Sequence, residues 1–269
     1  MTSSPSWDPG QYQRFAAERA RPFTDLVAQI PTRDPRTVID LGCGPGNVTA
    51  TLADRWPLAH ITEIDSSPAM VEAARPLTRS GRLEFGLGDV TTWRPAPDAY
   101  DVIVCNAVLQ WIPGHLDLLP GWVDGLRAGG ALAVQMPVAA DAAATTAFRT
   151  LAASPRWARR LGDTGLHRGP RGDSPVRPAR EYLDALAHPG LDVNVWETTY
   201  LHVLPGEDPV LEWFAGTGLR PYLDALADDP EAAGEFRAEV AQALREAYPR
   251  QPYGTVLPFR RLFVVAVRA

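Results

Sequence analysis

The chain contains no lysine: all 26 of its basic side chains are arginine, set against 32 acids for a formal charge of −6. Schiff-base catalysis through a lysine amine is therefore excluded, and a G-x-x-x-x-G-K phosphate loop cannot be completed. Arginine at any one position also carries less meaning than usual, because it serves for every positive charge. Cysteine is scarce. Cys43 in a glycine turn and Cys105 in an apolar run make neither a disulfide framework nor a zinc spacing. The histidines (His60, His115, His167, His188 and His202) are scattered without a metal-ligand pattern, so no metal is expected. No apolar run approaches membrane-spanning length, and the start MTSSPSWDPGQ has neither the positive end nor the apolar centre of a signal peptide. A soluble, cytoplasmic protein is expected. The acidic balance argues against a nucleic-acid or membrane partner, for which a basic face would be needed.

What the chain does have is centred on Thr37 to Asn47, TVIDLGCGPGN. Val38, Ile39 and Leu41 predict a buried strand, and Gly42, Gly44 and Gly46 a sharp turn that lets backbone approach a ligand. Asn47 to Trp56 is predicted as a helix, whose first N–H groups point into the crevice. The dinucleotide pattern G-x-G-x-x-G needs glycine where Asn47 stands. The pattern present is D-x-G-x-G-x-G, and Asp40 in the crevice suits an ammonium group better than a pyrophosphate, which it would repel.

With 269 residues, 45% of them hydrophobic, there is enough for one α/β domain with a lid or for one and a half domains. Trp7 to Ile30 is amphipathic, and Tyr12 and Arg21 are candidates for closing over the crevice, against the plainer reading of a solvated face. His60 to Asp65 predicts a second strand with Asp65 at its carboxyl end, placed to accept from ribose hydroxyls; Glu63, on the same strand face, competes for that role. Ser66, Ser67 and Pro68 predict a helix start, with Met70 either bordering an adenine or in the core. After a third strand, Arg82 to Leu87, Asp89 and Val90 are candidates for an adenine contact, or Asp89 is a simple turn residue. Asp101 to Val108 predicts the fourth strand, with Asn106 beside Gly42 and with Gln110 and Trp111 opening the next loop. Gly130 to Met136 predicts the fifth strand.

Strands alternating with helices imply a parallel sheet. Residues 138–178 carry no strand signal and predict a helical cap. Val193 to Leu204 and residues 261–267 predict two closing strands, with helices at 208–227 and 230–248 between them. The expected fold is α/β: a Rossmann-like seven-stranded sheet, mostly parallel with an antiparallel last strand, and a helical cap. Residues 1–137 would form the core and its lid helix, 138–190 the cap, and 191–269 the closing strands with further cap helices.

The glycine motif resembles the first motif of class I S-adenosylmethionine-dependent methyltransferases. Longer stretches resemble the trans-aconitate methyltransferase family: W-D-P-x-x-Y-x-x-F-x-x-E-R-x-R-P from Trp7, D-L-G-C-G-P-G-N from Asp40 and I-D-S-S-P-A-M from Ile64. L-Q-W from Leu109, L-A-V-Q-M-P from Leu132, T-G-L-R-P from Thr217 and R-L-F-x-V-A-x-R from Arg261 extend the resemblance. At position 63 the family usually has glycine, where this chain has Glu63.

The resemblance implies methyl transfer from S-adenosylmethionine to one carboxylate of trans-aconitate, with S-adenosylhomocysteine as the other product. Such an oxygen is already ionised at neutral pH, so no general base is required. A tricarboxylate needs local positive charge, and Arg220 with Tyr222, and Arg260 with Arg261, are the expected anchors. The plainer readings are a helix C-terminal charge for Arg220 and edge-strand protection for Arg260 and Arg261. Two other functions stay open: a class I methyltransferase acting on another small acid or nucleophile, and a non-catalytic S-adenosylmethionine-binding regulator.

Overall fold

A computed structural model describes residues 15–139, 142–161 and 175–269. By contact the chain divides into two compact units. One holds residues 16–137, 175–198 and 261–269; the described residues of the other are Phe15 and those within 138–161 and 199–260.

The seven-stranded sheet has β1 (Thr37–Leu41), β2 (His60–Asp65), β3 (Leu83–Leu87), β4 (Tyr100–Asn106), β5 (Leu126–Pro137), β6 (Leu191–Leu204) and β7 (Thr255–Arg268) in the order β3-β2-β1-β4-β5-β7-β6. β1 to β5 pair in parallel, and β7 runs antiparallel to β5, as the sequence predicts. Both faces of a central parallel strand are covered, so such strands need unbroken apolar runs. Val38, Ile39 and Leu41 in β1, Val102 to Cys105 in β4 and Ala131 to Val134 in β5 are accordingly buried. The strand order reverses between β1 and β4, and in a sheet of this kind ligands bind beyond the carboxyl ends at that reversal.

Helices on the same unit are α1 (Ala16–Ala28), α2 (Ala50–Arg55), α3 (Pro68–Ala74), α4 (Leu119–Asp124) and α7 (Ala179–Leu186). α2 begins at Ala50 rather than Asn47, because residues 45–49 turn first and bring Thr49 inward. β4 stops at Asn106, since Ala107 takes a φ of 57° that no strand tolerates.

The other unit carries α5 (Ala143–Ala152), α6 (Pro155–Leu161), α8 (Pro209–Ala215), α9 (Arg220–Ala225) and α10 (Pro230–Ala247). The single helix predicted for 208–227 is two, separated at residues 216–219. Phe148, Trp157, Trp213, Phe214, Tyr222, Phe236 and Phe259 build an aromatic core there. Trp157 is fully buried, and its indole N–H is satisfied by Glu239 Oε2 at 2.9 Å. Among the described residues no helix is long and apolar enough to cross a membrane.

Candidate functional site

Two backbone hydrogen bonds hold the start of the turn after β1 against β2. Gly42 and Cys43 both donate N–H to the Ile64 carbonyl, at 2.7 and 3.1 Å. Gly42 has a φ of +83°, and a Cβ there would lie 2.3 Å from Val108 Cγ2, so only glycine fits. A Cβ on Gly46 would meet the Phe85 ring in the same way. Gly44, with a φ of +58°, has nothing within 4 Å of its Cβ position, which leaves open space over its backbone.

Asp65 faces this opening. Its Oδ2 accepts from Gly44 N–H at 2.9 Å and its Oδ1 from Ser67 N–H at 2.8 Å. Each oxygen still has a lone pair for a ligand hydroxyl. Ser67 caps α3 by accepting from Met70 N–H. Ser66 beside it is exposed, and Met70 is buried.

Beneath the turn lie two buried acids. Asp40 and Glu63 are in register on neighbouring strands and so project from one sheet face. Asp40 is 2% exposed and Glu63 fully buried. Thr49 Oγ donates to Asp40 Oδ2, while Asp40 Oδ1 and both Glu63 oxygens have no hydrogen-bond partner. Burial, reinforced by the Asp65 charge and opposed by the Thr49 bond, pushes Asp40 up to about 7. Burial and the Asp40 charge push Glu63 up to about 10. Both shifts favour the protonated form, and burial pushes the Cys43 thiol up as well.

The β4 side of the reversal carries amides and a guanidinium. Asn106 lies opposite Gln135 of β5, and the Gln135 amide NH₂ donates to Asn106 Oδ1. Arg261 Nη1 donates to Gln135 Oε1 at 3.2 Å. Arg261 is 5% exposed and Gln135 1%. Arg260, its neighbour in sequence, is exposed: alternation along β7 separates the two arginines that the sequence pairs. Beyond Asn106, Gln110 Nε2 donates to the Ala107 carbonyl at 2.7 Å, and Trp111 is 44% exposed on a short 3-10 turn. Burial lowers the pKa of His115, and its ring bonds the Ile112 carbonyl and the Tyr182 hydroxyl. Among the described residues no group of histidines, cysteines and acids could hold a metal ion.

Arg21 is exposed on α1. Asp89 is exposed, with Oδ1 accepting from both the N–H and the hydroxyl of Thr91, while Val90 is buried. Arg220 opens α9 rather than closing a helix, and its Nε donates to Asp224 at 2.8 Å. Tyr222 is buried among Phe148 and Phe236. Tyr12 lies outside the described residues. The residue that sequence reasoning missed is Gln135; its signal was a lone amide within the otherwise apolar run ALAVQM.

A family model described as a methyltransferase domain matches residues 38–130. The chain is 54% identical to a trans-aconitate 2-methyltransferase of Streptomyces avermitilis, over 97% of each chain. It is 51% identical to one of Streptomyces coelicolor, over 98% of its own length and 87% of the relative's. Among solved structures it shares the fold of a Haemonchus contortus phosphoethanolamine N-methyltransferase 2 in complex with S-adenosyl-L-methionine. The TM-score is 0.53 and the identity 13%, over 92% of this chain and 52% of that one. A class I methyltransferase sheet, the glycine turn at its strand reversal, and identity of this order along nearly the whole sequence place the chain in the trans-aconitate 2-methyltransferase family.

Proposed function

We propose that the protein methylates a carboxylate of trans-aconitate with S-adenosylmethionine, giving the monomethyl ester and S-adenosylhomocysteine. The observation that carries this reading is the 54% identity to the Streptomyces avermitilis enzyme over 97% of both chains.

The residues at the β1 end suit the cofactor. Asp40 Oδ1 is a buried acceptor without a partner, which fits an ammonium group nearby, and open space remains over Gly44. Asp65 would accept from the ribose hydroxyls, and Met70, Asp89 and Val90 would border the adenine. Arg21, Ser66 and Asn106 complete the proposed cofactor set with Gly42, Gly44 and Gly46. When bound, S-adenosylmethionine supplies an electrophilic methyl group on a positively charged sulfur.

The chain's own task is then orientation. A carboxyl group of pKa about 4 is ionised at neutral pH, so no side chain has to remove a proton from the acceptor. The buried His115, committed to Ile112 and Tyr182, is consistent with that. What is required is a fixed anion, its oxygen aligned with the methyl–sulfur axis. Arg261, buried and held by Gln135, is the guanidinium we favour for this work. Tyr12, Gln110, Trp111, Arg220, Tyr222 and Arg260 are further acceptor-binding proposals.

The test is turnover. Protein and S-adenosylmethionine are incubated separately with trans-aconitate, cis-aconitate, citrate and isocitrate, and base-labile methyl ester is measured. The expected result is ester predominantly on trans-aconitate. Preference for another acid, or cofactor binding with no ester on any, overturns the reading.

A further inference from the structure

Three side chains form a hydrogen-bonded row across β7, β5 and β4: Arg261 to Gln135 Oε1, then Gln135 Nε2 to Asn106 Oδ1. Its direction has a chemical cause. A guanidinium has only donors, so Gln135 must turn its oxygen toward Arg261. Its NH₂ is thereby committed to the other side, and Asn106 can meet it only with oxygen. The Asn106 NH₂ is the end left over. No hydrogen bond joins it to another described residue, and Asn106 is partly exposed where β4 ends. That end is tied to its neighbours: Ala107 N–H donates to the Gln135 carbonyl at 2.8 Å and Val108 packs on Gly42.

We propose that Gln135 is a positioning residue: it transmits the donor-only character of Arg261 across β5, so that Asn106 presents its NH₂ rather than its carbonyl to a carboxylate bound at the strand reversal. The inference rests on the methyltransferase reading above, in which both ligands carry a carboxylate, the cofactor on its amino-acid end and the acceptor on each arm. Gln135 itself touches neither ligand. A buried amide in the middle of a sheet is costly unless both ends are bonded, and here both ends are used to set polarity.

Gln135→Glu tests this directly. A carboxylate accepts from both neighbours, so Asn106 must reverse and present its oxygen, while the pairing with Arg261 is kept. The variant should melt within a few degrees of wild type, yet lose about tenfold or more in affinity for one carboxylate ligand. Loss in S-adenosylhomocysteine Kd by calorimetry identifies the cofactor's carboxylate; loss in trans-aconitate KM alone identifies the acceptor's. Asn106→Ala removes the same donor without adding a charge, so the double variant should be no worse than Asn106→Ala alone. Gln135→Met, which leaves Asn106 undirected, should lose less than Gln135→Glu. Unchanged Kd and KM in Gln135→Glu, or losses that simply add in the double variant, overturn the proposal. Absence of ester from the wild-type control instead overturns the function reading, and leaves the calorimetric arm to decide the role of Gln135.

Discussion

The Gly44 amide donates to the Asp65 carboxylate at 2.9 Å, tying the turn after β1 to the end of β2. With Ser67 N–H on the other oxygen, the carboxylate is oriented by backbone before any ligand arrives. Asp65→Ala should therefore weaken S-adenosylhomocysteine binding by tenfold or more, about 1.4 kcal/mol per factor of ten. It should also cost roughly 1–3 kcal/mol in stability from the amides left unpaired. Calorimetry and urea unfolding measure the two separately, and a stability loss without an affinity loss would make Asp65 purely structural.

Two glycines of the same turn should fail differently. Gly42→Ala adds a Cβ 2.3 Å from Val108 Cγ2, so it combines a clash with about 1–2 kcal/mol of left-handed strain. Gly44→Ala carries the strain alone, because nothing lies within 4 Å. The first should lower Tm strongly. The second should fold nearly normally and lose cofactor affinity, as the new methyl fills the space over the turn.

The buried acids make stability depend on pH. Both titrate higher in the folded protein than in the unfolded chain, Asp40 from 3.8 to about 7 and Glu63 from 4.5 to about 10. Ionisation thus favours unfolding: stability present in acid is lost as pH rises through the two folded values. Glu63→Gln cannot ionise, so its Tm should fall less than that of wild type between about pH 7 and about pH 9. Parallel Tm curves would mean that Glu63 is already charged at neutral pH.

Arg220 pairs with Asp224 one turn along α9, an exposed arrangement that stabilises by only about 0.3–0.5 kcal/mol. Arg220→Ala should leave Tm and S-adenosylhomocysteine affinity nearly unchanged and raise the KM for trans-aconitate. Asp224→Ala, which removes only the pairing, should not raise it. Equal effects of the two variants would assign Arg220 a structural part alone.

Much of the sheet was legible in the sequence, because buried parallel strands demand uninterrupted apolar runs and leave Val38 to Leu41, Val102 to Cys105 and Ala131 to Val134 as plain signals. The glycine turn was legible for the same kind of reason: left-handed backbone and close packing admit no Cβ at Gly42. The left-handed Ala107 that ends β4 was not legible, since alanine there is held by its neighbours and not by its own preference. Likewise, adjacent arginines 260 and 261 read as one pair until strand alternation sent one outward and the other into the core.

Local chemistry along the chain thus determined the strand–turn–helix crevice, its acids and the likeness to a carboxyl methyltransferase, because each depends on residues close in sequence. The tertiary structure alone decided that Glu63 is buried against Asp40 and that Arg261, Gln135 and Asn106 form one directed row. Those relations join strands distant in sequence, and register across hydrogen-bonded neighbours sets which side chains share a face.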